Sequence, residues 1–280
     1  MHTLQALATG AIQGLSEFLP ISSSAHILFS NELYEIISGV KTASGSLQEE
    51  IFFSIVVHLA TLLAVVIYFF KDLKEILKGF FKAIKNKDFK NENFKLISYI
   101  ALVTIITGII GLLFKEYVEK IMINPQIICI LLFITGLILL TSEKFYKGDK
   151  NINLKSAILI AIAQGLAVFP GFSRSGLTIS TALFCRVERV KAGRFSFLAS
   201  IPIILFASLV YPLAELDFSE IATFNHKAIF LGFLTSFIVG YLCIKYFMKL
   251  LGCLSLRIFG YYCLVVAMLM FGLFQAYYHH

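Results

Sequence analysis

The sequence predicts an all-α integral membrane protein with six transmembrane helices and two re-entrant helical hairpins, arranged as an inverted-topology repeat. Three observations carry this expectation. Hydrophobic residues make up 58% of the 280-residue chain and charged residues 15%, with a mean hydropathy of +0.84, well outside the range of a soluble domain. Six apolar runs are long enough to cross the hydrocarbon layer. A motif also occurs twice, 151 residues apart, as Gln13-Gly14-Leu15-Ser16-Glu17-Phe18-Leu19-Pro20-Ile21-Ser22-Ser23-Ser24-Ala25-His26 and Gln164-Gly165-Leu166-Ala167-Val168-Phe169-Pro170-Gly171-Phe172-Ser173-Arg174-Ser175-Gly176-Leu177. A duplicated, broken, polar element in apolar surroundings marks a binding site at a repeat interface.

Taken in chain order, residues 1–35 read as a hairpin that enters from outside and turns near Pro20. Ile51–Phe70 is the first span, free of Asp, Glu, Lys and Arg. Its His58 reads as a neutral histidine hydrogen-bonded between helices. From Lys71 to Lys85, the residues Leu73, Ile76, Leu77, Phe80, Phe81 and Ile84 form an apolar stripe opposite lysines, the pattern of an interfacial helix. The segment Lys71–Lys95 carries eight lysines, which places it in the cytoplasm. Leu96–Phe114 crosses next, and the balanced charges of Lys115–Lys120 fit an outer loop. Ile127–Ser142 returns to a cytoplasmic connection with Lys144, Lys147, Lys150 and Lys155.

The following segment begins and ends among basic residues, Lys155 on one side and Arg186, Arg189, Lys191 and Arg194 on the other. Residues 156–186 therefore read as a second hairpin, turning at Pro170-Gly171, because a single crossing would break the charge rule. Phe195–Ala214 leads to an acidic outer loop with Glu215, Asp217 and Glu220. Ala228–Ile244 leads back to Lys245, Lys249 and Arg257, and Ile258–Tyr278 ends outside. Each half, residues 1–150 and 151–280, is then one hairpin plus three spans. The odd number of spans inverts one half against the other, and the hairpin tips meet near the midplane.

Composition also excludes several classes. The net charge of +7 resides in loop lysines, which fits positive-inside bias and anionic lipid; no nucleic-acid partner is expected. Cys129, Cys185, Cys243, Cys253 and Cys263 lack ligand spacing and read as packing residues. Met1-His2-Thr3 has no basic n-region and reads as no signal peptide. His2, His226, His279 and His280 sit at ends or in loops and call for no chemistry.

The tips read as helix starts inside the membrane. Ser22, Ser23 and Ser24 follow Pro20; Ser173, Arg174, Ser175 and Gly176 follow Pro170-Gly171. Serine caps helix starts, whose free N–H groups favour an anion, and Arg174 adds a permanent, bidentate charge suited to phosphate. The simpler alternative is that the serines only cap and Arg174 only pairs with Glu17. Against it, ionisable groups at membrane depth are expensive and usually functional. Glu17 and His26 add reactivity: the carboxylate can orient the imidazole, act as acid or base, or hold a cation. Ser23 precedes His26 by three residues, which permits a hydroxyl nucleophile beside a base. His26 could equally attack phosphorus itself, and the spacing does not choose.

At these residues the chain resembles the BacA/UppP family of undecaprenyl-diphosphate phosphatases. The resemblance rests on Gln13-x-x-x-Glu17, on Glu17-Phe18-Leu19-Pro20-Ile21-Ser22-Ser23-Ser24-x-His26, on Pro170-Gly171-Phe172-Ser173-Arg174-Ser175-Gly176, and on Phe195-Ser196-Phe197-Leu198 with Pro202. It implies hydrolysis of undecaprenyl diphosphate to the monophosphate and inorganic phosphate, recycling the carrier of cell-wall polysaccharides and conferring bacitracin resistance. It implies Glu17, Ser23, His26 and Arg174 as catalytic positions, with Gln13, Ser22, Ser24, Gln164, Ser173, Ser175 and Thr178 around the substrate. It further implies a divalent cation, Mg2+ or Ca2+, and a site facing the extracytoplasmic side of the bacterial inner membrane. Many members carry a second glutamate where this chain has Gln13, so the metal role falls mainly on Glu17. Besides the lipid substrate and bilayer lipids, a homodimer is left open as a partner. A transporter or flippase of a prenyl phosphate lipid is the main alternative, since inverted repeats with broken helices are also a transporter architecture. An acid-phosphatase-type lipid phosphatase would need separated histidines in a basic block, and a scaffold would not need Glu17, His26 and Arg174 in hydrocarbon.

Overall fold

The structure, a computed structural model, describes residues 1–38, 47–216 and 219–278. Among the described residues the chain is helical throughout, with no strands beyond one isolated bridge between Lys150 and Val187. In order, the helices are α1 (Thr3–Ser16), α2 (Ser23–Ser38), α3 (Leu47–Tyr68), α4 (Phe70–Lys85), α5 (Glu92–Leu113), α6 (Lys115–Met122), α7 (Pro125–Phe145), α8 (Leu154–Leu166), α9 (Arg174–Phe184), α10 (Arg189–Glu215), α11 (His226–Leu250) and α12 (Arg257–Tyr278). Six of them, α3, α5, α7, α10, α11 and α12, are long and apolar enough to cross a membrane, and each overlaps an apolar run of the sequence. This is a multi-pass membrane protein.

Of the six shorter helices, four frame the two breaks: α1 and α2 flank Pro20, and α8 and α9 flank Pro170-Gly171. Both breaks follow from chemistry. Pro20 and Pro170 remove N–H donors, and the serines beyond them restart a helix by capping its free amides. Asn153 and Ser156 form a reciprocal capping box at the start of α8, which fixes where the second pair begins.

Packing partners exchange between the halves. α1 lies along α11 as α8 lies along α5, α3 meets α11 as α10 meets α5, and α7 packs on α12. The closest crossings use glycine. A Cβ on Gly10 would sit 2.5 Å from Gly232 O, and one on Gly136 would sit 2.8 Å from Gly260 O. The backbones thus touch directly, as apolar helices do when hydrophobicity cannot drive them together. Over its most apolar 18 residues α10 is the most enclosed span, 44% buried, whereas α5 is 11% buried there and lies at the periphery.

The amphipathic stretch forms α4, with Ile76 buried and Leu77, Phe81 and Ile84 exposed. Asp72 on α4 accepts from Arg194 Nε at 2.7 Å, tying the helix to the start of α10. Lys115–Lys120, the connection expected outside, lies within the short helix α6; it is charged enough that no apolar run advertised it. One expectation needs correction. His58 Nδ1 bonds Ser54 O of its own helix at 2.8 Å, so this bond is not made between helices. The five cysteines are free. Asp217, His279 and His280 lie outside the described residues.

Candidate active site

The first tip is the non-helical stretch between α1 and α2. Phe18 is fully buried and meets Phe197 of α10 edge-on, with ring centroids 5.7 Å apart, which plants the turn in the protein interior. Cys263 Sγ of α12 approaches Pro20 O at 3.6 Å. Ser22 has φ of +71°, a left-handed conformation that costs a non-glycine residue roughly 1–2 kcal/mol. Its Oγ accepts from Ala25 N at 3.4 Å, so the strained residue caps α2.

The second tip is held more tightly. Gly171 has φ of +101°, and a Cβ there would lie 2.6 Å from Ile128 O, so only glycine fits. Thr135 Oγ1 of α7 shares its one hydrogen between Leu131 O at 3.1 Å and Gly171 O at 3.3 Å, and accepts from Ser173 N at 3.4 Å. Ser173 Oγ accepts from Gly176 N at 3.1 Å and caps α9. Thr178 Oγ1 and Ser196 Oγ share a hydrogen bond of 2.6 Å.

Besides the Arg174–Glu17 pair, two bonds join the tips. Ser175 Oγ donates to Leu19 O at 3.1 Å, and Gly171 N donates to Ser24 Oγ at 3.4 Å. The starts of α2 and α9 therefore converge, and with them two sets of free backbone amides.

Glu17 occupies the centre. Its Oε1 accepts from Arg174 Nη2; its Oε2 accepts from Gln13 Nε2 and from Ser23 Oγ, each at 3.0 Å. The Glu17 side chain is 9% exposed and that of Arg174 16%, so the charges are paired out of bulk solvent. Two buried atoms beside this pair have no partner: Arg174 Nη1 and Gln13 Oε1. A donor and an acceptor left open in one place are what a ligand would complete.

His26 takes other partners. Its Nδ1 meets Ser22 O at 2.8 Å and its Nε2 meets Tyr262 OH at 2.8 Å, with the two rings only 9° from parallel. The expectation that Glu17 orients the imidazole needs correction: Ser22 O and Tyr262 hold both ring nitrogens. The physical reason is local. The turn folds Ser23 back over Glu17, while His26 lies a turn further along α2, where Nδ1 reaches the carbonyl four residues before it.

The structure thus gathers Gln13, Glu17, Ser23 and Arg174 into one cluster, with Ser22, Ser24, Ser173 and Ser175 forming the tip-to-tip frame. Gln164 does not join them. It is 1% exposed and donates to Thr107 Oγ1 of α5 at 3.3 Å, between α8 and α5. Thr178 is buried against Ser196 and holds α9 in place. Tyr262 and Thr135 escaped the sequence reading. A tyrosine in an apolar span reads as a belt residue, and a threonine as packing; only the fold shows what each touches.

Among the described residues, no group of three or more His, Cys, Asp or Glu side chains is placed to share a metal ion. The donors that suit a hard cation are the Glu17 carboxylate and the open Gln13 Oε1. One carboxylate completed by substrate phosphate oxygens is an ordinary Mg2+ arrangement.

Comparison with known proteins decides the lineage. A family model described as "Bacitracin resistance protein BacA" matches residues 6–269. The chain belongs to the BacA family. Among similar relatives, "Undecaprenyl-diphosphatase 2" of Halalkalibacterium halodurans is 37% identical, covering 98% of this chain and 97% of the relative. "Undecaprenyl-diphosphatase" of Methanosphaera stadtmanae is 37% identical, with 96% and 97% covered. The protein of the same name from Treponema denticola is 38% identical, with 90% of each chain covered.

Proposed function

We propose that this protein hydrolyses undecaprenyl diphosphate to undecaprenyl phosphate and inorganic phosphate. The observation that carries the reading is the Glu17–Ser23–Arg174 cluster at two converging helix starts, with Arg174 Nη1 unpartnered. The terminal phosphate lies against Nη1 and the amides of α2 and α9, which stabilise charge as it develops. Ser23 Oγ attacks the terminal phosphorus while Glu17, already accepting its hydrogen bond, takes the proton. The bond from phosphorus to the bridging oxygen breaks and the lipid monophosphate leaves. Water then attacks the phosphoserine, giving its proton to His26; Ser23 recovers a proton from Glu17 and inorganic phosphate departs. Glu17 and Gln13 Oε1 are the groups that would hold a divalent cation, which when bound would neutralise phosphate charge.

The same proposal includes the architecture: residues 1–150 and 151–280 as inverted halves, the two short helix pairs as re-entrant hairpins, and a site open to the extracytoplasmic side of the bacterial inner membrane. The exchange of packing partners between halves and the loop charge support it. Cysteine labelling from each side should find positions at Lys155 and Arg189 on the same, cytoplasmic face. Opposite faces would remove the second hairpin.

Activity is tested with purified protein in detergent, undecaprenyl diphosphate and Mg2+. Phosphate release is expected, with acid-stable phosphoserine in quenched wild-type enzyme and none in Ser23→Ala. Lipid translocation in vesicles without phosphate release would instead assign a flippase.

A further inference from the structure

We infer that Tyr262 of α12 is a positioning residue that aims the His26 imidazole for the water-consuming half of the reaction. The inference rests on the phosphatase reading above. His26 Nδ1 lies 2.8 Å from Ser22 O. A carbonyl can only accept, so Nδ1 carries the proton and, in the neutral ring, Nε2 is left as the acceptor. Among the described residues, the group that meets Nε2 is the Tyr262 hydroxyl, at 2.8 Å. The two rings are within 9° of parallel with centroids 5.6 Å apart, and the phenol hydroxyl is the donor that reaches the Nε2 lone pair.

Each neighbour of the imidazole thereby has a separate task. Ser22, strained at φ of +71°, turns its carbonyl toward Nδ1 and fixes the tautomer. The Tyr262 hydroxyl donates to Nε2 and holds the ring in place until the water of the second step takes up that nitrogen. Ser23 is already served by Glu17, so its attack does not need the imidazole. Loss of the phenol hydroxyl should therefore spare the first chemical step and slow the second.

Tyr262→Phe keeps the ring and removes the hydroxyl. The expected result is a fall in kcat of about three- to tenfold, the net worth of one hydrogen bond, with KM unchanged. More of the enzyme should be trapped as phosphoserine at steady state than in wild type. Site-specific 3-fluorotyrosine at position 262 should restore turnover, and Tyr261→Phe, on the 61% exposed neighbour, should change nothing. Independently of turnover, the 15N resonance of His26 Nε2 in lipid should move toward that of an unbonded acceptor in Tyr262→Phe. An unchanged kcat, a loss carried by KM, a fall in trapped phosphoserine, or an unmoved Nε2 resonance would each overturn the inference. Wild-type enzyme that releases phosphate without any phosphoserine would instead sink the covalent reading of the site, leaving the Tyr262 assignment to stand or fall on the resonance and on kcat against KM.

Discussion

The two copies of the duplicated motif have become opposites. The second tip is a frame: Ser173, Ser175 and Thr178 are almost wholly buried, and their hydroxyls are committed to capping α9, to Leu19 O and to Ser196. It offers the site the Arg174 guanidinium and the amides at the start of α9. The first tip is looser and carries the groups that can react: Glu17, Ser23 and His26, on a turn that includes a strained serine. The difference teaches how a duplicated element divides labour. One copy spends its hydroxyls on rigidity, and the other can then spend its own on chemistry.

The comparison can be broken at its reactive end first. Glu17→Gln removes the acceptor of the Ser23 proton and leaves Arg174 without its counter-charge. Phosphate release should fall by roughly a hundredfold or more, the scale of a lost general base. A variant that keeps near-normal turnover would make Glu17 only a structural partner of Arg174. At the framing end, Arg174→Lys keeps the charge and loses the planar fork. Activity should fall by about ten- to a hundredfold, since a point charge cannot serve Glu17 and phosphate together; normal turnover would show that charge alone suffices. Thr135→Val tests whether the frame is needed at all. It leaves Gly171 O and Ser173 N without their partner, at a cost of about 1–3 kcal/mol. The thermal midpoint should drop, with activity reduced several-fold through KM. A variant with unaltered midpoint and KM would mean that Thr135 does not hold the second tip.

The spans were legible because an apolar run of sufficient length has little else to become in this composition. The breaks were legible from Pro20, Pro170 and Gly171, and the cluster from charges that hydrocarbon does not tolerate without reason. What stayed hidden was direction. Ser23 and His26 share a face by spacing, yet Ser23 turns to Glu17 and His26 to Tyr262, because Ser23 opens α2 beside the turn and His26 stands a turn further on, where α12 lies, and no periodicity encodes that. Gln13 and Gln164 are equivalent in the repeat, but a glutamate four residues on captures the first, and Thr107, from another helix, captures the second. α6 stayed hidden for a simpler reason: it is short and charged, and loops look the same.

The Arg174–Glu17 pair has one more consequence. A lone cation in apolar surroundings is expensive, whereas this one is paired by its own chain: Glu17 holds Nη2 and leaves Nη1 open. An arriving anion therefore shares the guanidinium with a tethered carboxylate whose local concentration never falls, and when that anion leaves, the arginine is never without a counter-charge.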